Sequence, residues 1–226
     1  MRVALFGGAA LAWSRVGRLR TLVVAALAIA GVAAAADWER VQAPSMAVDR
    51  SLTGVAFGLA VPLLAYYLIR EITARRRLDH AVFELARHGV NRRWASLGLL
   101  GAGAGLLAIL GGLVAAAAVI GARGFADPRD LAVSMWLGVL AGLSYAWLMG
   151  LGACVGRSGE GRLGSLAMDW FLGAGTSALA VPWPRGHLRN LLGAEPVLDL
   201  TQPAAMLSLT GLIVVYLGLT LWRTPR

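Results

Sequence analysis

His80, Glu84 and His88 recur at i, i+4 and i+8, a spacing that stacks side chains on one helical face with residue types that can bind a transition metal. Two helical turns set the histidines about 12 Å apart, too far to share an ion on a straight helix, and the pair supplies too few ligands. A polar contact face is the better reading. Gly142-Leu143-Ser144-Tyr145, with His187 elsewhere in the chain, offers a serine nucleophile and a base for hydrolysis within a membrane. The Gly-x-Ser match lacks a following Gly, and no His lies inside an apolar run to act as base, so that chemistry is set aside. The single cysteine, Cys154, excludes an internal disulfide framework and a Cys-based metal site, leaving packing as its role. All 21 basic residues are Arg. A Walker A loop requires Lys, so no standard ATP site of that kind is expected, and the chain is read as non-enzymatic with no cofactor of its own. Asp169 is different, because an ionisable group inside an apolar run is costly and faces protein or water. It either pairs with an Arg as structure or faces a translocation cavity or subunit interface.

The elements that must position these residues are membrane helices. Of 226 residues, 58% are hydrophobic and 15% charged, far outside the soluble norm. The net charge of +9 would suggest nucleic acid in a soluble protein, but here Arg flanks apolar runs, where it sets orientation, and a nucleic-acid partner is rejected. Cutting the chain at charges and prolines leaves six runs, 21–36, 52–69, 95–121, 131–155, 163–181 and 204–222, most approaching the ~20 residues of a spanning helix. The first run ends in Ala34-Ala35-Ala36-Asp37, which imitates a signal-peptide cleavage site. The preceding segment is too long and too apolar for an ordinary n-region, so the run is expected to be retained.

Alternate loops differ in Arg content. One set holds Arg2, Arg15, Arg18 and Arg20, the seven arginines from Arg70 to Arg93, then Arg157, Arg162, Arg223 and Arg226; only 6 of the 21 fall on the other side, with Asp37, Glu39, Asp49, Asp127, Asp130, Glu195 and Asp199. The positive-inside rule therefore predicts cytoplasmic termini. No segment is long enough for a separate soluble domain, so residues 1–226 form one membrane domain. Residues 1–20 place Phe6, Ala9, Trp13 and Val16 at helical spacing, predicting an interfacial helix with that face in lipid and Arg toward anionic headgroups. Residues 182–203 read as short external helices broken by Pro and Gly. Gly pairs four apart, at 54/58, 101/105, 138/142 and 152/156, add little in a chain with 29 Gly.

One stretch, RRRLDHAVFELARHGVNRRW at 75–94, is strongly charged. Leu78, Val82 and Leu85 fall at i, i+4 and i+7 beside Ala81 and Ala86, making one apolar face. Gly89 is placed to end the helix and Asn91 to cap the next. The pattern predicts a helix of about three turns over 78–89, across the cytoplasmic ends of spans two and three. It is either a solvated loop that enforces topology or a docking surface for a soluble partner.

This layout, an all-α polytopic membrane protein with an N-terminal interfacial helix, six transmembrane helices, an amphipathic helix between spans two and three and a broken external segment before span six, resembles the permease subunits of type 2 ABC transporters. The most similar local piece is Phe83-Glu84-Leu85-Ala86-Arg87-His88-Gly89-Val90-Asn91-Arg92-Arg93, followed by Leu97-Gly98. Gly89 stands where Pro is usual, Asn91 where Ser is usual, and Leu99 where a basic residue often follows. The resemblance implies that 78–89 is a coupling helix contacting an ATPase through Asp79, Val82, Phe83, Glu84, Leu85, Arg87 and His88. It further implies a bacterial inner-membrane exporter of an amphipathic or lipid-linked substrate, paired with itself or a paralogue and with ATPase subunits that bind ATP and Mg²⁺. A non-transporting scaffold or assembly subunit, docking some other protein through the same helix, is the alternative.

Overall fold

Long apolar runs with few breakers fold as helices because in lipid every backbone N–H and C=O must be paired within the segment. A computed structural model of the chain describes residues 1–123 and 128–224; Asp127 and Arg226, which enter the orientation argument, lie outside them. Among the described residues there is no strand. Among these residues five helices are long and apolar enough to cross a membrane: α2 (Leu19–Gln42), α3 (Pro44–Ile72), α6 (Arg92–Arg123), α7 (Pro128–Gly152) and α10 (Gln202–Arg223). Before them lies α1 (Arg2–Val16). Between α3 and α6 are the short α4 (Leu78–Ala81) and α5 (Phe83–Arg87). Between α7 and α10 are α8 (Gly161–Leu172) and α9 (Pro184–Leu191). The chain is a membrane protein.

The run expected as a helix over 163–181 is the main departure. Helix α8 has 12 residues, about 18 Å long, well short of the ~30 Å hydrocarbon core. The cause is local. Gly173, Gly175, Thr176 and Ser177 are small and uncharged, so they do not break a hydropathy run, but they favour turns over helix, and Pro182 and Pro184 follow. The chain passes through a 3₁₀ turn at Ala178–Ala180 into α9, and a Cβ on Gly173 would lie 3.0 Å from Trp183 Cβ and 3.1 Å from Arg185 Cβ. The returning segment therefore packs directly on the end of α8. The short helices expected over 182–203 correspond to α9 and a 3₁₀ turn at Val197–Asp199.

Two ends of the bundle can be distinguished by contact. Leu78 N donates to Ala153 O just after α7, a Cβ on Gly152 would lie 2.8 Å from Arg162 Cα, and Arg93 Nε donates to Thr224 O after α10. These join the 73–91 segment, the start of α8 and the end of α10 at one Arg-rich end. At the other, Asp49, Arg123, Asp130 and Gln202 line one cleft. The chain therefore travels from one end to the other between Arg162 and Gln202 in pieces, α8 then α9, instead of in one helix.

Small residues set the tightest crossings, as expected where lipid supplies no competing hydrophobic drive between helices. A Cβ on Gly111 would lie 2.1 Å from Gly138 O, and one on Gly142 2.1 Å from Leu107 O, so α6 and α7 touch backbone to backbone. Of the four Gly pairs, 138/142 lies wholly at such a crossing, whereas a Cβ on Gly101 or Gly105 meets nothing within 4 Å. Helix α1 follows the same rule. Its Ala4, Gly8 and Ala12 are buried, with a Gly8 Cβ 2.1 Å from Ala95 O and a Gly98 Cβ 2.1 Å from Leu5 O. This corrects the expected face: Phe6 and Trp13 do point outward with Val3, but Val16 is buried and Ala9 partly so, because contact on α6 is chosen by size and not by hydrophobicity. The first helix also ends at Val16, and α2 begins at Leu19.

Gly138→Ala should lower stability by roughly 1–3 kcal/mol through backbone collision, while Gly105→Ala should be neutral or slightly stabilising because Ala favours helix. Thermal unfolding of the two variants in detergent checks the contrast, and equal behaviour would remove the crossing from the account.

Candidate functional site

The charged stretch sorts into two faces. Leu78, Ala81 and Val82 are buried and Leu85 is half-buried, its methyls 3.6 to 3.8 Å from a Cβ built on Gly7 of α1. Phe83, Glu84, Arg87 and His88 are exposed, with Arg87 Nη1 3.9 Å from Glu84 Oε2. Asp79, expected among the contact residues, is instead mostly covered and locally committed: it accepts from Arg77 Nε at 3.0 Å and from the His80 amide at 3.0 Å. Gly89 has φ +78 and closes the segment, and Asn91 Oδ1 accepts from the Arg93 amide at 3.0 Å to cap α6.

The expected continuous helix over 78–89 is corrected to two single turns, α4 and α5, interrupted at Val82 (φ −102, ψ 6). The physical reason is Arg15. The Ala81 carbonyl, which a continuous helix would pair with the Leu85 amide, accepts from Arg15 Nη2 at 3.1 Å, and Nη1 of the same guanidinium donates to Ile72 O at 2.6 Å. One side chain of α1 thus holds the last carbonyls of both α3 and α4, as a cation at helix C-termini is suited to do. Burial, then the charges of Arg76 and Arg18, push Arg15 below the ordinary arginine value. Arg162 works from the opposite side. It is 4% exposed, donating to Thr73 Oγ1 at 2.5 Å and Arg76 O at 3.2 Å through Nη1 and to Ser158 O at 2.7 Å through Nη2. The polar segment is therefore anchored to α1, α3, α7 and α8 while its outer face stays open. Cys154, beside it, is buried, and burial followed by the Asp79 charge raises its thiol to about 11; it is a packing group.

Asp169 lies inside the chain, 0% exposed. Its carboxylate accepts from Tyr145 Oη at 2.8 Å and from the Arg185 amide at 3.1 Å. Arg185 is the second residue of α9, whose first residue, Pro184, has no N–H, so Asp169 places a negative charge at the start of a helix. Two other polar groups nearby are matched: Tyr216 Oη donates to Pro182 O, and Trp170 Nε1 donates at 3.0 Å to Gly58 O. Pro62 follows Gly58 by four residues and has no N–H to give that carbonyl. Of the two readings left open for Asp169, the geometry is that of a structural clasp, made with a backbone amide and a tyrosine instead of a direct Arg pair.

Ser144 and His187 are each committed to a nearby carbonyl: Ser144 Oγ donates to Ala141 O at 2.9 Å and His187 Nε2 to Val181 O at 2.8 Å. His80 and His88 both stand exposed. Arg15, Arg162 and Tyr145 were not anticipated as site residues. Arg15 and Arg162 count in the sequence as topology signals, and only the mid-run hydroxyl of Tyr145, which needs a partner when buried, gives any warning.

Comparison with known proteins returns no matching family, no matching curated protein and no matching solved structure. The functional argument therefore rests on the chain's own geometry.

Asp169→Ala leaves the Tyr145 hydroxyl and the Arg185 amide without their acceptor and should cost roughly 2–4 kcal/mol, whereas Asp169→Asn keeps an acceptor oxygen and should cost less. Thermal unfolding in detergent ranks them; a stable Asp169→Ala would contradict the clasp.

Proposed function

We propose that this chain is the membrane permease subunit of an ABC-type exporter, moving an amphipathic or lipid-linked substrate with energy from ATP hydrolysed elsewhere. The observation that carries the reading is the open polar patch of Phe83, Glu84, Arg87 and His88 on a segment clamped to several helices by Arg15 and Arg162. A loop that merely enforces topology needs the charges but not the clamp. A segment that transmits force needs both, because a push at its surface must reach the spans without being absorbed by a flexible linker.

In this reading each permease pairs with a second copy or a paralogue and with two ATPase subunits, which bind ATP and Mg²⁺. The Arg-rich end lies in the cytoplasm of a bacterial cell, at the inner membrane, with both termini on that side. The chain contributes no catalytic residue. Its coupling surface consists of Phe83, Glu84, Arg87 and His88, while Val82 and Leu85 seat the segment and Asp79 braces it against Arg77.

Glu84→Arg combined with Arg87→Glu should weaken ATPase association about tenfold or more, because a few well-placed polar groups dominate such contacts, and should leave the permease folded. Val82→Asp should instead destabilise the permease itself by at least about 3 kcal/mol, since it buries an unpaired charge. Co-purification and thermal unfolding separate the two effects; a double reversal that leaves partner binding and transport intact reduces the segment to a topology-setting loop. Cysteine labelling at Glu84 should report access only from the cytoplasm, and labelling from outside would invert the orientation.

A further inference from the structure

At the Arg-rich end, where α1 gives way to α2, Arg15, Arg18, Arg20 and Arg75 surround a cavity of about 290 Å³ whose wall is completed by Glu71 and Ala74. Four cations thus face one carboxylate. Glu71 is shared, with Arg75 Nη2 at 3.3 Å and Arg20 Nη2 at 4.0 Å. Arg15 is held by neutral carbonyls, which leave its charge uncompensated. Like charges this close repel, and an anion placed among them relieves the repulsion.

A second cavity, of about 440 Å³, begins one helical turn farther along. It runs between α2 and α3, lined by Val24, Leu27, Gly31, Leu59, Leu63 and Tyr67 with other apolar neighbours. Arg20 precedes Val24 by four residues and Glu71 follows Tyr67 by four, so both walls continue from one cavity into the next. At the join the Arg20 guanidinium lies 5.8 Å from the centroid of the Tyr67 ring. The Tyr67 hydroxyl is buried and has no hydrogen-bond partner among the described residues. The groove opens sideways, with Leu27, Leu59 and Leu63 well exposed along it.

We propose that these two cavities form a single site for one anionic glycerophospholipid, its phosphate among Arg15, Arg18, Arg20 and Arg75 and an acyl chain lying in the α2–α3 groove. A free phosphate would use only the basic cavity, and a zwitterionic lipid carries a cation that four arginines oppose. An anionic lipid fills both, in the orientation the bilayer imposes, with the head at the interface and the chain in the core. The site shares Arg15 with the clamp on the 73–91 segment but no residue with the Phe83, Glu84, Arg87 and His88 patch, and lipid retention can be read without transport or ATPase binding.

Native mass spectrometry of the full chain in detergent, offered equal amounts of phosphatidylglycerol and phosphatidylcholine, tests the site. Two variants probe its halves. Arg18→Glu with Arg20→Glu reverses exposed charges that make no backbone hydrogen bond, and Gly31→Leu fills the groove from a position where an added Cβ meets nothing within 4 Å. The wild-type chain should retain one phosphatidylglycerol about tenfold more than phosphatidylcholine, each variant should lose that retention about tenfold while keeping its helical circular dichroism, and millimolar inorganic phosphate should not displace the lipid. Equal retention of the two lipids, full retention by Gly31→Leu, or displacement by phosphate alone would overturn the proposal. Should the charge-reversed chain fail to fold, the wild-type headgroup preference and Gly31→Leu decide it.

Discussion

A helix that stops inside or at the edge of a membrane leaves unpaired N–H groups at its start and carbonyls at its end, with no bulk water nearby to satisfy them. This chain stops helices several times, and the partners it supplies at those stops organise the rest. Carbonyl ends receive arginines: Arg15 at Ile72 and Ala81, and Arg93 at Thr224 just past α10, while Arg162 holds the Arg76 carbonyl in the turn after α3. The amide start of α9 receives a carboxylate, Asp169. The signs match the helix dipole at both kinds of terminus. The same arginines that bias topology by their number therefore also fix where the spans end.

That arrangement has a mechanical consequence. The Phe83 to His88 surface is joined to α1 and α3 through Arg15, to α8 through Arg162 and to α7 through the Leu78 amide at Ala153 O. Displacing it means breaking charge-assisted hydrogen bonds in a largely buried setting or moving those helices with it, and the second is the less costly course. Deeper in the bundle, the clasp of Asp169 with Tyr145 and the start of α9 ties α7 to the broken crossing. Motion entering at the Arg-rich end has a connected set of rigid parts to travel through, with close glycine contacts between α6 and α7 resisting shear.

Much of this was legible in the sequence, and each failure has its own physical cause. Hydropathy located all five long helices because a spanning helix must be apolar along its whole length. The buried and exposed faces of 78–88 followed from the i, i+4, i+7 spacing of Leu78, Val82 and Leu85. Over 163–181 hydropathy misled, since Gly173, Gly175, Thr176 and Ser177 carry no charge to break the run yet are poor helix formers. The outward face of α1 was misjudged at Val16 because the close approach of Gly8 to Ala95 and of Leu5 to Gly98 turns the face of Ala4, Gly8 and Ala12 inward, and Val16 with it. The break at Val82 and the pairing of Tyr145 with Asp169 depend on Arg15 and on a residue 24 positions away, and no local pattern announces such partners. Asp169 did signal that a partner must exist; it could not say which.

The central claim is that the exposed patch of α5 meets an ATP-binding subunit. A photo-crosslinking amino acid placed at Phe83, which is 43% exposed and takes no part in the clamp, tests it within the intact cell membrane. The account predicts a single dominant adduct with a protein that binds ATP, lost when the outer charges at Glu84 and Arg87 are reversed. Adducts only with lipid, or with a partner that does not bind ATP, would contradict it.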